Sequence, residues 1–343
     1  MRIAIITDAW KPQVNGVVTT LGKMGEFLES QGHDVRFMTP KDFKTIPCPT
    51  YPEIRLALFP YKTIRDNLDD FLPAHIHIAT EGSLGHAARK YCLKNDLRFT
   101  TSFHTQFPEY LRMRIPIPTR WTYRYLRWFH RAASRTMVPT PSQKARLEEH
   151  GFKNVEVWSR GVDVDVFQPE PKVDLTDPYP VMMYMGRVSV EKNIEAFLDV
   201  DLPGSKIVVG DGPDRDKLEK HYPEVKFVGA KFGKELASWV AAADVFAFPS
   251  KTDTFGLVML EAMACGVPVA AYPVTGPIDI IQQGETGVMD EDFKLALQAA
   301  LKLDRNVCIK YARQHTWEHC GKRFESLLEP VKPDKDVEAA IVS

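Results

Sequence analysis

The chain alternates short apolar runs with segments of helical periodicity, and it repeats this alternation twice along its length. Strands of a parallel sheet that are buried on both faces read as near-continuous apolar runs, and helices connect them. The alternation therefore predicts an α/β fold with parallel sheets. The strands predicted in the first half are Arg2–Thr7, Asp34–Thr39, His75–Ala79, Phe99–Ser102 and Thr136–Val138.

The second half repeats the pattern after a segment rich in proline and acidic residues at positions 169–180. A chain of 343 residues exceeds the size of one typical core, so we expect two domains with this segment as their linker. The strands predicted in the second half are Val181–Met185, Lys206–Val209, Val225–Val228, Val245–Phe248 and Val267–Ala270. Each half resembles a Rossmann-type sheet.

The charge balance and the cysteine content argue against several classes of protein. The formal net charge is −1, which disfavours nucleic acid as the main partner. The five cysteines are scattered without a C-x-x-C pair, and no apolar run reaches about eighteen residues, the length that spans a bilayer. The stretch Met1–Ile6 starts a strand rather than a signal peptide. We therefore expect a cytoplasmic protein whose contact with a membrane is peripheral.

The first predicted strand leads through a loop containing Asn15 and Gly16 into a predicted helix. Helix N-termini bind anions, because their first N–H groups lack partners and the helix dipole is positive there. Gly16 would let a phosphate or a sugar approach the backbone closely. A single glycine is equally consistent with an ordinary tight turn between strand and helix.

The first strand of the second half, Val181–Met185, is followed by Gly186, Arg187 and, five residues further on, Lys192. Two cations beside a helix N-terminus suit a diphosphate, although the same pair could simply be solvated on a loop. Gly210 begins a further glycine turn after the next predicted strand. Ligands of open α/β sheets bind at these carboxyl ends of strands.

Two acidic residues eight positions apart, Asp253 and Glu261, flank the sequence Phe255, Gly256 and Leu257. Asp253 precedes a predicted helix, and Glu261 lies two turns into it. Buried carboxylates need polar partners, and the hydroxyl groups of a sugar and a ribose are suitable ones. A structural alternative makes Asp253 the N-terminal cap of the helix.

The segment from Asp253 to Glu261 resembles the E-x7-E element of retaining GT-B glycosyltransferases of family 4, with aspartate in place of the first glutamate. The resemblance covers nearly the whole chain, and the order of its motifs makes it specific. The segments that carry it are Asn15-Gly16, Phe103-His104-Thr105, Pro139–Ser142, Gly161-Val162-Asp163, Gly186-Arg187, Lys192, Gly210–Pro213 and Phe255–Gly266.

The resemblance implies a GT-B fold, in which two Rossmann-like domains face each other across a cleft. It implies an acceptor-binding domain at residues 1–168 and a nucleotide-sugar-binding domain at residues 169–314. At residues 315–343 it implies a C-terminal helix that crosses back to the first domain. The last residues of that segment, 333–343, are expected to fray.

The same resemblance implies the role of each site residue. Arg187 and Lys192 bind the donor diphosphate and stabilise the leaving group. Glu261 holds the ribose hydroxyls, Asp253 lies beside the transferred sugar, and His104 faces that sugar from the first domain. The implied catalytic residues are His104, Arg187, Lys192 and Asp253. The implied donor-binding residues are Gly16, Gly186, Arg187, Lys192, Gly210, Asp253, Phe255, Gly256, Leu257 and Glu261.

The resemblance further implies that the sugar keeps its anomeric configuration and that no metal or other cofactor takes part. In the favoured front-face displacement, the acceptor hydroxyl passes its proton to the departing phosphate oxygen. A UDP-sugar is expected as the donor in preference to a GDP-sugar. The pairs His75/His77 and His315/His319 are weak candidates for metal binding, and we expect no metal site.

A strongly basic region has seven arginines and no acidic residue between Arg112 and Arg135. Four of its arginines and three aromatic residues recur at helical spacing in adjacent stripes: Arg120, Arg124, Arg127, Arg131, and Trp121, Tyr125, Trp128. Such a helix suits the interface of an anionic bilayer, where rings sit at headgroup level and arginines meet lipid phosphate. Alternatively, the aromatics pack into the first domain and the arginines are merely solvated. Further apolar contact could come from Tyr110, Met113, Ile115 and Ile117.

The sequence therefore predicts a glycosyltransferase similar to bacterial enzymes that glycosylate diacylglycerol or phosphatidylinositol. It would move a hexose of the glucose, glucuronate or mannose type from a nucleotide-sugar to a lipid acceptor at the inner face of the cytoplasmic membrane. Its expected partners are the donor, the acceptor and an anionic membrane surface, and not nucleic acid. The alternatives are transfer to a soluble or polysaccharide acceptor, a sugar-nucleotide 2-epimerase, and an inert module that binds nucleotide-sugars.

Overall fold

The structure, a computed structural model, describes residues 1–13, 15–48, 51–106, 108–109, 112, 118–175 and 177–332. These residues form two compact units. One comprises Met1–Ser159 together with the chain from Cys320 onward, and the other comprises Arg160–His319. Each unit has a parallel sheet of six described strands. The prediction of an α/β fold with two parallel-sheet halves is therefore confirmed.

The first unit contains a parallel sheet and a separate antiparallel pair of strands. Its strands are β1 (Arg2–Ile6), β2 (Asp34–Met38), β3 (Thr45–Cys48), β4 (Tyr51–Ala57), β5 (His75–Ile78), β6 (Thr100–Ser102), β7 (Arg135–Val138) and β8 (Val155–Val157). The sheet has the order β2-β1-β5-β6-β7-β8, while β3 and β4 pair with each other. The order reverses between β1 and β5, which makes a crevice at their carboxyl ends.

Helices of the first unit cover the sheet with their apolar faces. They are α1 (Gly16–Ser30), α2 (Tyr61–Phe71), α3 (Ser83–Lys94), α4 (Thr119–His130) and α5 (Pro141–Glu149). In α1, for example, Leu21, Met24 and Leu28 are fully buried. None of the described helices combines the length and the apolar character that crossing a bilayer requires.

The second unit repeats this architecture. Its strands are β9 (Val181–Met185), β10 (Ser205–Val209), β11 (Lys226–Gly229), β12 (Val245–Phe248), β13 (Val269–Ala271) and β14 (Gly287–Met289), in the order β11-β10-β9-β12-β13-β14. Its helices are α6 (Glu195–Leu198), α7 (Arg215–His221), α8 (Gly233–Ala241), α9 (Leu257–Ala264), α10 (Pro277–Ile280), α11 (Phe293–Ala300) and α12 (Arg305–Ala312). The strand order reverses between β9 and β12.

The last described helix, α13 (Trp317–Leu327), starts in the second unit and continues into the first. Its residues Cys320, Phe324 and Leu327 are buried. The aromatic ring of Phe324 lies 4.6 Å from that of Trp158, another fully buried residue of the first unit. The predicted C-terminal helix is therefore present, whereas the tail expected to fray, residues 333–343, lies outside the described residues.

The proline-rich segment at positions 169–180 belongs to the second unit, and the chain divides earlier, between Ser159 and Arg160. The Val173 N–H donates to the carbonyl oxygen of Ser238 at 3.1 Å, and Leu175 is buried in the core of that unit. The structure therefore corrects the expectation of a linker. The segment belongs to the second unit because its apolar side chains Val173 and Leu175 pack against the core of that unit.

Asp8 occupies the crevice of the first sheet, directly after β1, and holds the start of α3. Its carboxylate accepts hydrogen bonds from the Leu84 N–H at 3.0 Å and from the hydroxyls of Thr80 and Ser83 at 2.9 and 3.1 Å. Burial raises the pKa of Asp8 above its usual range, because desolvation outweighs these hydrogen bonds. A Cβ at Gly82 would lie 2.4 Å from the carboxyl group, so glycine is required there.

Replacing Asp8 with alanine leaves the buried Leu84 N–H and two hydroxyls without their acceptor. We expect Asp8→Ala to lower the free energy of unfolding of the first unit by about 2–4 kcal/mol. Chemical denaturation followed by circular dichroism measures this change. The control is Asp34→Ala, which removes an exposed carboxylate at the start of β2 and should change stability by less than about 0.5 kcal/mol. Equal stability of the two variants would contradict the assignment.

Candidate active site

The reversal of strand order in the second unit positions two loops beside each other. One loop follows β9 and the other follows β12, the two neighbouring strands from which the chain proceeds in opposite directions. Parallel strands end at the same edge of a sheet, and such a reversal leaves a crevice between the loops there. All the predicted donor-binding residues of this unit follow the carboxyl ends of β9, β10 or β12.

The loop after β9 turns sharply at Gly186, whose φ of 143° is unfavourable for a residue with a side chain. The Tyr184 hydroxyl donates to the carbonyl oxygen of Arg187 at 2.7 Å and fixes the backbone after this turn. The Arg187 side chain is one-third exposed, and its Nε lies 3.9 Å from Oε1 of the buried Glu191. The guanidinium is therefore held at the carboxyl edge of the sheet with part of its surface open to a ligand.

Gly210 lets the loop after β10 pass close to the loop after β9. Its φ is 154°, and a Cβ at this position would lie 1.8 Å from the carbonyl oxygen of Gly186. Glycine at position 210 is thus required by the approach of two backbone segments, whereas glycine at position 186 is required by its own backbone conformation. Neither glycine places a side chain in the crevice at this point.

An ion pair joins the loop after β9 to the loop after β12. Lys192 Nζ lies 2.6 Å from Oδ1 of Asp253. The Asn193 side-chain amide donates to the carbonyl oxygen of Pro249 at 3.0 Å, and the Thr252 hydroxyl donates to that of Glu191 at 3.2 Å. These three contacts join the two loops and place a cation and an anion side by side.

The alternative role of Asp253 as a helix cap is wrong. The capping residue of α9 is Gly256, which has a φ of 86° and no side chain to accept a hydrogen bond. A Cβ at Gly256 would lie 2.8 Å from ring atoms of Phe248, so this position also requires glycine. Phe255 is buried and Leu257 starts the helix at the crevice edge. Asp253 is instead positioned by Lys192.

Glu261 lies in the middle of α9 and is half-buried, and protein atoms crowd around its carboxyl group. This burial raises the pKa of Glu261 from the usual 4.5 to about 7. A carboxyl group with such a pKa is well suited to accept hydrogen bonds from hydroxyl groups, because binding replaces the hydration that the folded chain has removed.

Two of the predicted site residues, Gly16 and His104, lie in the first unit. Gly16 opens α1, but Asn15 caps this helix: its side-chain oxygen accepts from the N–H groups of Val17 and Val18 at 3.1 and 3.0 Å. The anion site expected at this terminus thus already has an internal acceptor for two of its donors. The His104 ring packs edge-on against the ring of Trp158, with 5.9 Å between the ring centroids.

The aromatic stripe of α4 faces solvent. Trp121, Tyr125 and Trp128 are 55%, 39% and 40% exposed, and the arginine stripe is exposed beside them. The helix packs into the unit through a different face, whose members are Thr122, Tyr123, Leu126, Phe129 and His130. The alternative in which the aromatic stripe forms part of the core is therefore wrong. The upstream residues Tyr110, Met113, Ile115 and Ile117 lie outside the described residues.

Polar side chains of α3 contact two of the exposed aromatic rings of α4. The Arg89 guanidinium carbon lies 4.2 Å from the ring centroid of Trp128, and Arg89 donates to the carbonyl oxygen of Phe129 at 2.9 Å. The Tyr125 hydroxyl lies 2.5 Å from a ring nitrogen of His86. Sequence reasoning did not single out His86 or Arg89, because nothing in the local sequence marks them as partners of α4.

The histidines named as weak candidates for metal binding lie among the described residues. Within the described part of the chain, no group of three or more histidine, cysteine, aspartate or glutamate side chains is placed to hold a metal ion. His77 lies within hydrogen-bonding distance of Thr100 and Ser102, at 2.9 and 2.8 Å. Nδ1 of His315 lies 3.0 Å from the carbonyl oxygen of Tyr311. Both histidines thus have structural partners.

Solved structures with the same arrangement identify the fold as GT-B, built of two Rossmann-like domains. Sucrose-phosphate synthase from Thermosynechococcus elongatus superposes with a TM-score of 0.76 over 95% of this chain and 98% of that chain, at 20% identity. The protein HepE of Anabaena, solved with UDP-glucose, superposes with a TM-score of 0.70 over 95% and 98%, at 16% identity. The GT-B prediction is confirmed.

Sequence comparison carries the assignment further. The profile of "Glycosyltransferase Family 4" matches residues 14–166, and that of "Glycosyl transferases group 1" matches residues 179–303. A GDP-mannose-dependent alpha-mannosyltransferase of Mycolicibacterium smegmatis is 32% identical, over 88% of this chain and 88% of that protein. The chain belongs to the glycosyltransferases of family 4.

Two further relatives have names that refer to lipids or sulfonated sugars. A sulfoquinovosyl transferase of Arabidopsis thaliana is 30% identical over 88% of this chain and 67% of that protein. An alpha-monoglucosyldiacylglycerol synthase of Acholeplasma laidlawii is 26% identical over 78% and 79%. The chain is thus a glycosyltransferase with lipid-related relatives.

The raised pKa of Glu261 predicts how stability depends on pH. Between about pH 4.5 and pH 7 the folded chain keeps a proton that the unfolded chain has lost, so stability falls as the pH rises through this window. Glu261→Gln removes this dependence. The free energy of unfolding of the variant should therefore gain on that of the wild type as the pH rises, by at most about 1.4 kcal/mol per pH unit.

Urea denaturation of both proteins at several pH values measures this difference. Glu285→Gln, which changes an exposed glutamate of the same unit, is the control and should follow the wild type at every pH. If Glu261→Gln also follows the wild type, the carboxyl group of Glu261 does not have the raised pKa.

Proposed function

We propose that the protein transfers a hexose from a nucleoside-diphosphate sugar to a lipid acceptor such as diacylglycerol, at the inner surface of the cytoplasmic membrane. The observation that carries the proposal is the exposed aromatic stripe of α4 beside four arginines, in a chain that belongs to glycosyltransferase family 4. The name of the Acholeplasma laidlawii relative, a diacylglycerol glucosylating enzyme, supports a lipid acceptor. Transfer to a soluble acceptor is the alternative.

The charges at the crevice of the second unit support a diphosphate as the donor's binding group. Arg187 presents a partly open guanidinium, and its planar fork matches two phosphate oxygens. Lys192 is held by Asp253, and a bound sugar beside this carboxylate would find both a donor and an acceptor of hydrogen bonds. In the proposal, Glu261 binds the ribose hydroxyls.

The donor base has two candidates. The frequency of uridine nucleotides as donors within the family favours a UDP-sugar. The name of the Mycolicibacterium smegmatis relative, at 32% identity over most of both chains, favours GDP-mannose. Direct comparison of UDP-glucose, UDP-glucuronate, UDP-galactose and GDP-mannose as donors decides between them.

In the proposed mechanism, positive charge from Arg187 and Lys192 stabilises the diphosphate as its bond to the sugar breaks. The acceptor hydroxyl approaches the same face of the sugar, forms the new bond to the anomeric carbon and gives its proton to the departing phosphate oxygen. The sugar therefore keeps its anomeric configuration, and the reaction requires no metal cofactor. His104, Gly16 and the backbone N–H groups of Phe255 to Leu257 are proposed to position the donor.

Alanine at Arg187 removes a charge that is needed most when the diphosphate departs. We expect Arg187→Ala to lower kcat by about 10²- to 10³-fold, with the fold intact by circular dichroism. Initial rates of glycosyl transfer measure this effect. Lys217→Ala, which removes an exposed cation of the same unit, is the control and should keep the wild-type rate. Wild-type turnover of Arg187→Ala would refute the role of Arg187 in stabilising the leaving diphosphate.

The arginine stripe of α4 predicts binding to anionic vesicles. Arg127 is spared in the test because it donates to the carbonyl oxygen of His150 at 3.1 Å and so supports the fold. Replacing Arg120, Arg124 and Arg131 with glutamine should lower the affinity for anionic vesicles by about 10²-fold or more, since each cation near the surface contributes about 1 kcal/mol.

Cosedimentation with phosphatidylglycerol-containing vesicles measures this affinity. The matched control replaces three exposed lysines of the second unit, Lys217, Lys220 and Lys310, with glutamine and thus changes the net charge equally. The control should sediment like the wild type. If both triple variants lose binding to the same extent, the attraction is a property of net charge and α4 is not a membrane-binding helix.

A further inference from the structure

A bulky apolar side chain projects into solvent at the end of β4. The Phe59 side chain is 93% exposed, and the neighbouring Leu58 is 41% exposed. The two residues form the tip of the short connection that leads from β4 into α2, and we call them the Leu58–Phe59 tip. Single exposed apolar residues are common on protein surfaces, but exposing almost the whole of a phenylalanine side chain to water is unfavourable in free energy.

The backbone at the tip is also unfavourable for the residue it carries. Phe59 has a φ of 49°, in the left-handed region that glycine and asparagine enter more readily. It also precedes Pro60, and residues before proline prefer extended backbone. Strain of this kind persists where surrounding structure enforces it, and it concentrates at functional positions. Here a phenylalanine occupies a site where glycine would be easier to fold.

Hydrogen bonds on the preceding strand hold the tip in place. The Leu58 N–H donates to the carbonyl oxygen of Lys44 at 2.8 Å, and the Ala57 N–H donates to the hydroxyl of Ser83 at 2.8 Å. After the tip, the Ile64 N–H donates to the carbonyl oxygen of Pro60 at 2.9 Å as α2 begins. The tip is therefore presented by ordered structure on both sides.

The tip is flanked by positive charge. Lys44 is the backbone partner of Leu58, Lys62 follows Phe59 by three residues, and both are exposed. Lys90 reaches over the ring of Tyr61, with its Nζ 4.7 Å from the ring centroid. An apolar tip among lysines complements the interface of an anionic bilayer, in which rings enter the headgroup layer and amines meet phosphate.

The strand that leads to the tip and the aromatic stripe of α4 both reach the start of α3. The Ser83 hydroxyl accepts from the N–H of Ala57, the residue before the tip, at 2.8 Å, and the carbonyl oxygen of Glu81 accepts from the Tyr125 hydroxyl at 3.3 Å. Both exposed apolar elements, each with basic neighbours, are thus anchored through residues 81–83 of the first unit, which places them near one another.

We propose that the Leu58–Phe59 tip inserts into the headgroup layer of an anionic lipid bilayer, as a second membrane contact beside α4. The inference rests on the proposed function, since it takes the membrane as the partner of α4. It adds an apolar anchor to a surface that is otherwise held by charge, and it fixes which side of the first unit faces the lipid. A protein partner and a second copy of this chain are the other possible occupants.

A fluorescent label at position 59 tests insertion directly. Cys48 is half-buried and the other cysteines are buried, so the double variant Cys48→Ser, Phe59→Cys offers one accessible thiol for an environment-sensitive dye. With vesicles of phosphatidylcholine, phosphatidylglycerol and diacylglycerol, we expect a blue shift and quenching by spin-labelled lipid. The matched control carries the dye at Phe232→Cys, an exposed aromatic position of the second unit, and should stay in an aqueous environment.

The variant Phe59→Gly separates binding from folding. Glycine relieves the left-handed backbone, so the melting temperature should stay equal or rise, while the affinity for vesicles falls about tenfold. A dye that reports water while the protein binds vesicles, together with undiminished affinity of Phe59→Gly, would overturn the insertion and leave the membrane function intact. Failure of the wild type to bind vesicles at all would overturn both. A change in oligomeric state of Phe59→Gly would assign the tip to a second copy.

Discussion

Parallel strands place all their carboxyl ends at one edge of a sheet, and the rest of this structure depends on that constraint. Each unit of the chain winds its strands outward in both directions from a central pair, β1 and β5 in one unit and β9 and β12 in the other. The loops after such a pair diverge, and charged side chains of this chain lie in the crevice between them. In the first unit the crevice holds Asp8, and in the second it holds the ion pair of Lys192 and Asp253.

Both crevices hold charged side chains, but the partners of these side chains differ. In the first unit, the buried carboxylate of Asp8 accepts its hydrogen bonds from the start of α3 and from two hydroxyls. In the second unit the charges are less buried, and Arg187 keeps part of its surface open. The first arrangement stabilises a fold. The second suits a ligand that carries its own negative charge, and this difference is the physical basis for the proposed donor site.

Much of the fold could be predicted from the sequence, because buried parallel strands are continuous apolar runs. The predicted strand Val181–Met185 has the same bounds in the structure, and β1 ends one residue earlier than predicted. The pair β3 and β4 was not predicted, since Ile46 and Pro47 are exposed and the segment lacks a buried apolar run. The partners of Asp8 lie 72 to 77 residues away, so no local pattern could reveal them. The site motifs were visible, but the pairing that links Asp253 to Lys192 was not.

The most direct test of the account is transfer of radiolabelled sugar from each of four donors to vesicles that contain diacylglycerol. The donors are UDP-glucose, UDP-glucuronate, UDP-galactose and GDP-mannose, and the measured quantity is label that enters the organic phase. We expect that one donor labels the lipid and that the label requires diacylglycerol. Label that remains wholly in the aqueous phase with every donor, from an enzyme that consumes donor when a soluble acceptor is present, would contradict the lipid acceptor.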